Sequence, residues 1–442
     1  MSTMKAYRFQ LRCKPAQERA LRRFAGGLRW VWNQALAQQR ERHERGEKFA
    51  GYAHMCAWLT AWRHAPETAW LAEGPIHPQQ QVLRRLEAAY KRFFEAARAG
   101  QAGGRGGVKP PRFKARGQEP GIRFPDPKQF TLEAANARQA RIKLPELGWV
   151  RLRLSQPVDG TLRNVSLTRE GVGQGTGPGA RWHAALQVEC AQPLQALDVA
   201  PTLGIDLGVA AFAATSEGEL VQPLRALAKQ QVRLRRYQRA VSRKVKGSAN
   251  RKKAAARLGA LHRCIARQRN DWLHQLSTRL ANEHAVVALE DLRIQAMSAS
   301  ARGTAEAPGR NVRQKAGLNR GILDAAWGEF ARQLAYKVQW RGGRVILVPA
   351  AYTSRTCRIC GHESADNRRT QALFSCVACG HTENADVHAA KNILAAGHAV
   401  WARQRHGAPG PAACGGAVRR PRGASRVGAA PAKQEPTEAE FA

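Results

Sequence analysis

The chain has 442 residues, and its 72 Lys+Arg against 33 Asp+Glu give a formal charge of +39 and a pI near 11.2. Such an excess repels itself in a free monomer, so a polyanion, nucleic acid above all, is the expected partner. No stretch approaches ~18 consecutive apolar residues, which excludes a transmembrane helix, and the opening MSTMKAYRFQLRCKPAQERA lacks the apolar core of a secretory signal. The cysteines fit a reducing cytoplasm: four of nine stand in two close pairs and the rest are isolated.

In chain order, residues 4–13 alternate as a strand, and Pro15 opens a helical pattern that runs from Gln17 to about Arg42. Its apolar positions are Leu21, Phe24, Leu28, Val31, Trp32 and Leu36. More helix is expected through Ala99, with Leu83, Leu86, Tyr90, Phe93 and Phe94 on one face. The stretch G-G-R-G-G-V-K-P-P-R-F-K-A-R (103–116) breaks regular structure and reads as a basic, flexible crossing. Short apolar runs at Phe130–Leu132, Ala140–Leu144, Val150–Leu154 and Trp182–Val188 predict strands. Thr202–Asp206 and Val209–Thr215 follow as two more strands, then a long basic helical region over 224–283, interrupted at Gly247-Ser248. Ala285–Leu289 reads as a buried strand, 296–317 as a loop, Ile322–Trp340 as a helix, Arg344–Val348 as a strand and Asp386–Ala396 as a helix. The Ala/Gly/Pro/Arg-rich last ~40 residues carry little periodicity and are expected to be disordered.

Two motif groups carry chemistry. Cys357, Cys360, Cys376 and Cys379 form two C-x-x-C pairs fifteen residues apart, the spacing of a closed, structural four-cysteine zinc ribbon. Asp206 and Glu290 each end an apolar strand, and Asp386 opens a helix, where the plain alternative is an N-cap. Hard oxygen ligands of this kind can hold two divalent ions for phosphodiester hydrolysis, and Gly204 and Gly208 leave backbone room for a phosphate. The densest basic run, 242–253, supplies Arg243, Lys244, Lys246, Arg251, Lys252 and Lys253 as phosphate contacts; Arg112 and Lys114 of 108–116 are a second set. Trp30, Trp32 and Phe24 could stack on bases, but their helical spacing reads as core.

The series G-I-D-L-G, V-V-A-L-E-D-L, D-A-A-W-G-E-F (324–330), T-S-R-T-C-R-I-C-G (353–361) and N-A-D-V-H-A-A-K-N-I (384–393) resembles the TnpB (OrfB) family, encoded by insertion sequences and related to type V CRISPR effectors. The resemblance spans about residues 4 to 397 and is most specific in the C-terminal half. It implies an α/β multidomain chain: a RuvC-like nuclease of RNase H fold with an inserted zinc ribbon, plus an N-terminal wedge β-barrel with a helical recognition insertion. The implied segments are 1–14 and 118–200 for the wedge, 15–117 for the recognition lobe, 201–352 and 383–400 for the nuclease, 353–382 for the ribbon and 401–442 for a basic tail. It further implies Asp206, Glu290 and Asp386 as a catalytic, magnesium-binding triad, structural zinc, a guide RNA and a double-stranded DNA target in a prokaryotic cytoplasm, at the nucleoid when bound. A compact CRISPR effector and a guided repressor that no longer cuts are the alternatives. Two positions depart from the family's pattern, Ala385 for an Arg and His388 for an Asn; neither replaces a carboxylate.

Overall fold

The computed structural model describes residues 2–101, 107–170, 181–191, 201–303, 308–349, 353–368, 370 and 372–405. The tail expected to be disordered falls, from 406 onward, outside them.

The N-terminal half joins a seven-stranded sheet to three helices. Strand β1 (Ser2–Arg12) leads into α1 (Pro15–Glu44), α2 (Tyr52–His64) and α3 (Ile76–Arg98). The sheet is completed by β2 (Ile122–Phe124), β3 (Thr131–Asn136), β4 (Gln139–Leu144), β5 (Gly148–Arg153), β6 (Thr161–Arg169) and β7 (Trp182–Ala191), in the order β2-β6-β7-β1-β5-β4-β3. Every pairing in it is antiparallel. Alternation drives it: Tyr7, Phe9 and Leu11 of β1 are buried while Ala6, Arg8 and Arg12 are exposed. One core joins these strands to Leu21, Phe24, Leu28, Trp32, Leu83 and Leu86 of the helices. Phe24 and Trp32 therefore belong to the core, and Trp30 meets Trp62 and Trp70 edge-on at 5.4 and 5.8 Å. The expected strands lacked β2 and β6, and β6 carries a bulge between Leu162 and Asn164 that interrupts its alternation.

The C-terminal half is built on a second sheet of five strands, β8 (Thr202–Asp206), β9 (Ala213–Thr215), β10 (Leu220–Val221), β11 (Val286–Glu290) and β12 (Arg344–Val348), ordered β10-β9-β8-β11-β12. Between β10 and β11 run α4 (Ala226–Lys229), α5 (Gln231–Ser242) and α6 (Ala249–Glu283); between β11 and β12 run α7 (Ile294–Met297), α8 (Val312–Ala325) and α9 (Trp327–Trp340). A short hairpin, β13 (Leu373–Ser375) and β14 (Thr382–Asn384), precedes α10 (Ala385–Arg405). The central strands β8, β11 and β12 are parallel and covered on both faces. Leu203, Ile205, Val287 and Leu289 pack under α6 and α9, while Val286, Ala288, Ile346 and Val348 meet Ile393 of α10.

Four expectations change. Only Ala213–Thr215 of the run 209–215 is strand, because the Gly208 N–H bonds the Phe212 carbonyl and folds 208–212 into a tight turn. The loop expected to 317 gives way to α8 at Val312. The helix expected over 322–340 is two, broken at Ala326, whose φ of 56° is left-handed. Finally, Gly204 does not leave room for phosphate. A Cβ there would lie 2.2 Å from the Ala390 carbonyl oxygen and 2.7 Å from Leu394 Cβ, so the missing side chain lets α10 rest on β8. Gly208 is likewise hemmed in by its own turn, 2.9 Å from the Ala211 oxygen.

Candidate active site and cysteine centre

The sheet itself brings two of the acids together. β8 and β11 are parallel neighbours with Ile205 level with Leu289, so Asp206 and Glu290, one residue further on each strand, emerge at the same carboxyl edge. The third comes from α10, which lies across β8, β11 and β12 and begins beside that edge. Asn384 caps this helix, its Oδ1 accepting from the Asp386 and Val387 N–H groups at 3.1 Å each. Asp386 is thus relieved of the capping role that its position suggests, and its carboxylate accepts instead from Arg368 Nη2 at 2.8 Å.

The electrostatics record the crowding. Burial, with Glu290 and Asp386 close by, pushes Asp206 from its ordinary 3.8 up to about 7, against the pull of Arg368 and the Leu207 N–H. Burial also raises Glu290, opposed by the Thr353 hydroxyl and by Arg368. Two neighbouring carboxylates thus disfavour the charge on a buried third, a crowding that a divalent metal relieves.

A hydrogen-bonded bracket holds these acids in register. Thr353 Oγ1 donates to Glu290 Oε1 at 2.8 Å. The Asn392 amide, on α10, donates to the Thr353 and Thr356 carbonyls, both at 2.8 Å. His388, fully buried and stacked on Phe374 at 3.7 Å, contacts the Thr356 carbonyl through Nε2 at 3.0 Å. Thr353, Arg368, Asn384, His388 and Asn392 were not singled out as site residues from sequence; all but Arg368 nonetheless stand inside the motifs that carried the family resemblance.

The four cysteines are also assembled. Their sulfurs lie within 4.8 Å of one another, with Cys357–Cys379 at 3.7 Å and Cys360–Cys376 at 3.6 Å. Gly361 and Gly380, each at φ 74°, turn the chain after each pair. The Cys376 thiol is lowered to about 6: burial raises it, but the Cys379 and Ala378 N–H groups and the neighbouring thiols outweigh burial. Next to them, His381, Glu383 and His388 also stand within 4.8 Å of one another. Lys391 already pairs with Glu383 there, so this second cluster reads as an ion-paired brace under α10.

The basic candidates divide. Arg243, Lys246, Lys252 and Lys253 are exposed around the α5–α6 turn, where Gly247 takes φ 91°. Arg251 instead folds back on the turn, its Nη1 donating to the Lys244 carbonyl at 2.8 Å. Lys114 lies over the Trp32 ring at 4.4 Å, and burial lowers its pKa; Arg112 is exposed while its carbonyl accepts from the Trp32 indole at 2.9 Å. The first set lies around the α5–α6 turn and the second in the segment before β2, on different elements from the acids.

Residues 185–301 match the OrfB_IS605 family, described as a probable transposase, and 327–393 match the Cas12f1-like TNB domain. Residues 1–48 match a helix-turn-helix domain of the same OrfB group, although here they form one strand and one 30-residue helix. Over 438 residues the chain is 44% identical to InsQ of Escherichia coli (strain K12), named as an RNA-guided DNA endonuclease, covering 99% of this chain and 98% of that one. A Streptomyces pristinaespiralis protein of the same description is 33% identical, covering 98% and 96%. Among solved structures, the Cas12f1 chain of a Cas12f1–sgRNA–target DNA complex superposes with a TM-score of 0.51 at 14% identity, over 89% of this chain and 99% of that one. It shares the fold.

Proposed function

The chain belongs to the TnpB (OrfB) family, with RNA-guided DNA endonucleases as its full-length relatives, and from that premise we propose that it cuts double-stranded DNA beside a short motif under the direction of a guide RNA. Pairing with the guide would carry the sequence reading, leaving the protein to hold backbone, shape and the short motif. In this reading 201–352 and 383–400 are the RuvC-like nuclease and 353–382 the zinc ribbon. Residues 1–14 and 118–200 are the wedge, and 15–117 the recognition lobe.

Asp206, Glu290 and Asp386 would hold magnesium; the fit rests on three hard oxygen donors with too little positive charge between them. Bound there, magnesium supplies an activated water and a counter-charge for the leaving oxygen. The protein's own part is placement. Thr353 fixes one oxygen of Glu290, Asn384 frees Asp386 from the helix cap, and Arg368 neutralises the cluster until it is loaded. Cys357, Cys360, Cys376 and Cys379 fit zinc, since S···S separations of 3.6 and 3.7 Å approach the ~3.8 Å edge of a tetrahedron with ~2.3 Å bonds.

The observation that carries the reading is the arrival of three sequence-distant acids at one strand edge, two of them by strand register. Asp206→Ala tests it: with guide and matched target, cleavage is lost while a gel shift of the guided complex stays near wild type. Cutting at the wild-type rate by that variant would overturn the mechanism.

A further inference from the structure

A cavity of about 720 Å³ lies in the N-terminal half, far in sequence from the acids, where β1, α1, the segment before β2 and the ends of β6 and β7 meet. Its α1 wall is a single helical face, Arg22, Ala25, Gly26 and Arg29, at i, i+3, i+4 and i+7. Arg8, Arg116 and Arg169 complete a ring of five guanidinium groups. The two carboxylates in the wall are already engaged. Glu170 takes a charge-assisted bond from Arg267 Nε at 2.8 Å, and Glu119 accepts from the Gly117 N–H at 2.8 Å. Arg22 is itself paired with Glu18, which leaves Arg8, Arg29, Arg116 and Arg169 facing the single charge of Glu119, still a positive excess.

Three buried donors in this wall have no hydrogen-bond acceptor among the described residues: Arg29 Nε, Arg169 Nε and the indole N–H of Trp182. Trp182 is only 4% exposed, so water does not readily satisfy that N–H. The arginines crowd each other, and burial, with Arg22 and Arg263 nearby, lowers Arg169 below its ordinary value. A protein interior seldom leaves three donors orphaned in one wall unless an acceptor arrives from outside.

Gly26 adds an independent observation. It sits inside a 30-residue helix, where glycine is the poorest former after proline. Beyond its own helix's backbone, no atom of the described residues lies within 4 Å of where its Cβ would be, so no packing contact among them demands a glycine there. A bare helix face at the wall of a basic cavity suits close approach of a ligand to the backbone.

We propose that this cavity receives a phosphodiester of a nucleic-acid backbone, contacted by Arg29 and Arg169, with Gly26 giving it clearance. This rests on the nucleic-acid reading above but not on the cleavage chemistry. A phosphate's oxygens would serve the orphaned donors, and the cavity's volume admits the attached sugar as well.

The test uses the full chain carrying Arg29→Ala with Arg169→Ala and, separately, Gly26→Leu, which fills the space without changing charge. Gly26→Ala controls for helix propensity, and melting curves check the fold. Affinity is measured over a salt series for labelled single-stranded RNA with the free protein, and for labelled duplex DNA with RNA-loaded protein. The double variant should bind at least tenfold more weakly in one arm and flatten its salt dependence, by roughly 1.4 in slope for RNA or 1.8 for duplex DNA. Gly26→Leu should weaken the same arm with the slope less affected, and Arg29→Lys with Arg169→Lys should restore most of the slope. The arm that responds identifies the strand. Unchanged affinity and slope in both arms, for both variants, would overturn the proposal. A wild-type protein that binds neither RNA nor DNA would instead refute the guided-nuclease reading itself.

Discussion

Replacing Asp206 with asparagine should stabilise the metal-free protein while ending its cleavage. The carboxyl group stands at about 7 in the folded chain against an ordinary 3.8, so the unfolded chain gives up this proton roughly three pH units earlier. Between those values the folded state binds the extra proton, and stability contributed by Asp206 declines as pH rises from about 4 to about 7. Above pH 7 the group is ionised in both states. The folded protein then carries the full penalty of a largely buried anion at Asp206, about 4 kcal/mol at ~1.4 kcal/mol per unit. The asparagine side chain would match the neutral acid in shape and carry no charge. In EDTA at pH 8, denaturant unfolding of the C-terminal half should show D206N more stable by about 2–4 kcal/mol, the lower figure allowing for relaxation around the site. At pH 5 the gain should shrink to about 1–2 kcal/mol, because the wild-type acid is already largely protonated when folded. Magnesium should reverse the order at pH 8, stabilising the wild type and leaving the variant unmoved. A D206N protein no more stable than wild type at pH 8 in EDTA would show that the three acids do not crowd one another, and the reasoning would fail.

Metal analysis of purified protein should find zinc, and Cys376→Ser should remove about one equivalent per chain; unchanged zinc content would reject the assignment of zinc to the four cysteines. Thr353→Val should lower kcat for cleavage tenfold or more with little change in target binding, and Thr353→Ser, which keeps the hydroxyl that donates to Glu290, should recover most of it; equal activity of Val and Ser variants would deny the hydroxyl a part. Changing Arg243, Lys246, Lys252 and Lys253 together to Glu should weaken RNA or heteroduplex binding and lower its salt slope, whereas Arg251→Ala should act mainly through melting temperature, since its guanidinium holds the Lys244 carbonyl. A salt slope unchanged by the four reversals would place the nucleic acid elsewhere.

What the sequence disclosed, and what it did not, follows from the range of the interactions. Thr202–Asp206 and Arg344–Val348 were legible as strands because the short apolar stretches 203–205 and 345–348, bounded by proline, threonine or a charged residue, have little else to become. A carboxylate ending such a run is conspicuous, so Asp206 and Glu290 could be named. The cysteine pairs were legible for the same local reason. Their neighbourhood was not. Thr353 reaches Glu290 across 63 residues, and Asn392 reaches Thr353 across 39, distances at which no periodicity survives. Gly204 misled because a glycine before an acid has two readings, clearance for a ligand or for the chain itself, and only the position of α10 separates them. Ala326 misled because an alanine in left-handed conformation has no sequence signature.

The same long-range bonds explain why the cysteine segment should interrupt the chain between β12 and α10. After β12 the chain stands at the carboxyl edge, beside Glu290, and α10 must begin near that edge with Asp386 foremost. Residues 353–356 are held to α10 by Asn392 and His388 immediately before Cys357 enters the cysteine cluster. Cys379 leaves that cluster six residues before α10 starts, and β14 pairs back on β13 in between. The cluster therefore ties the entry and exit of the insertion at one point, and fixing them fixes where α10 begins. On this argument removing zinc should disturb Asp386 before it disturbs Asp206 or Glu290, which the sheet register holds independently. Chelation should accordingly reduce cleavage while hydrogen exchange stays slow in β8 and β11 and quickens in the first turns of α10. Equal protection of α10 with and without zinc would leave the ribbon without this role.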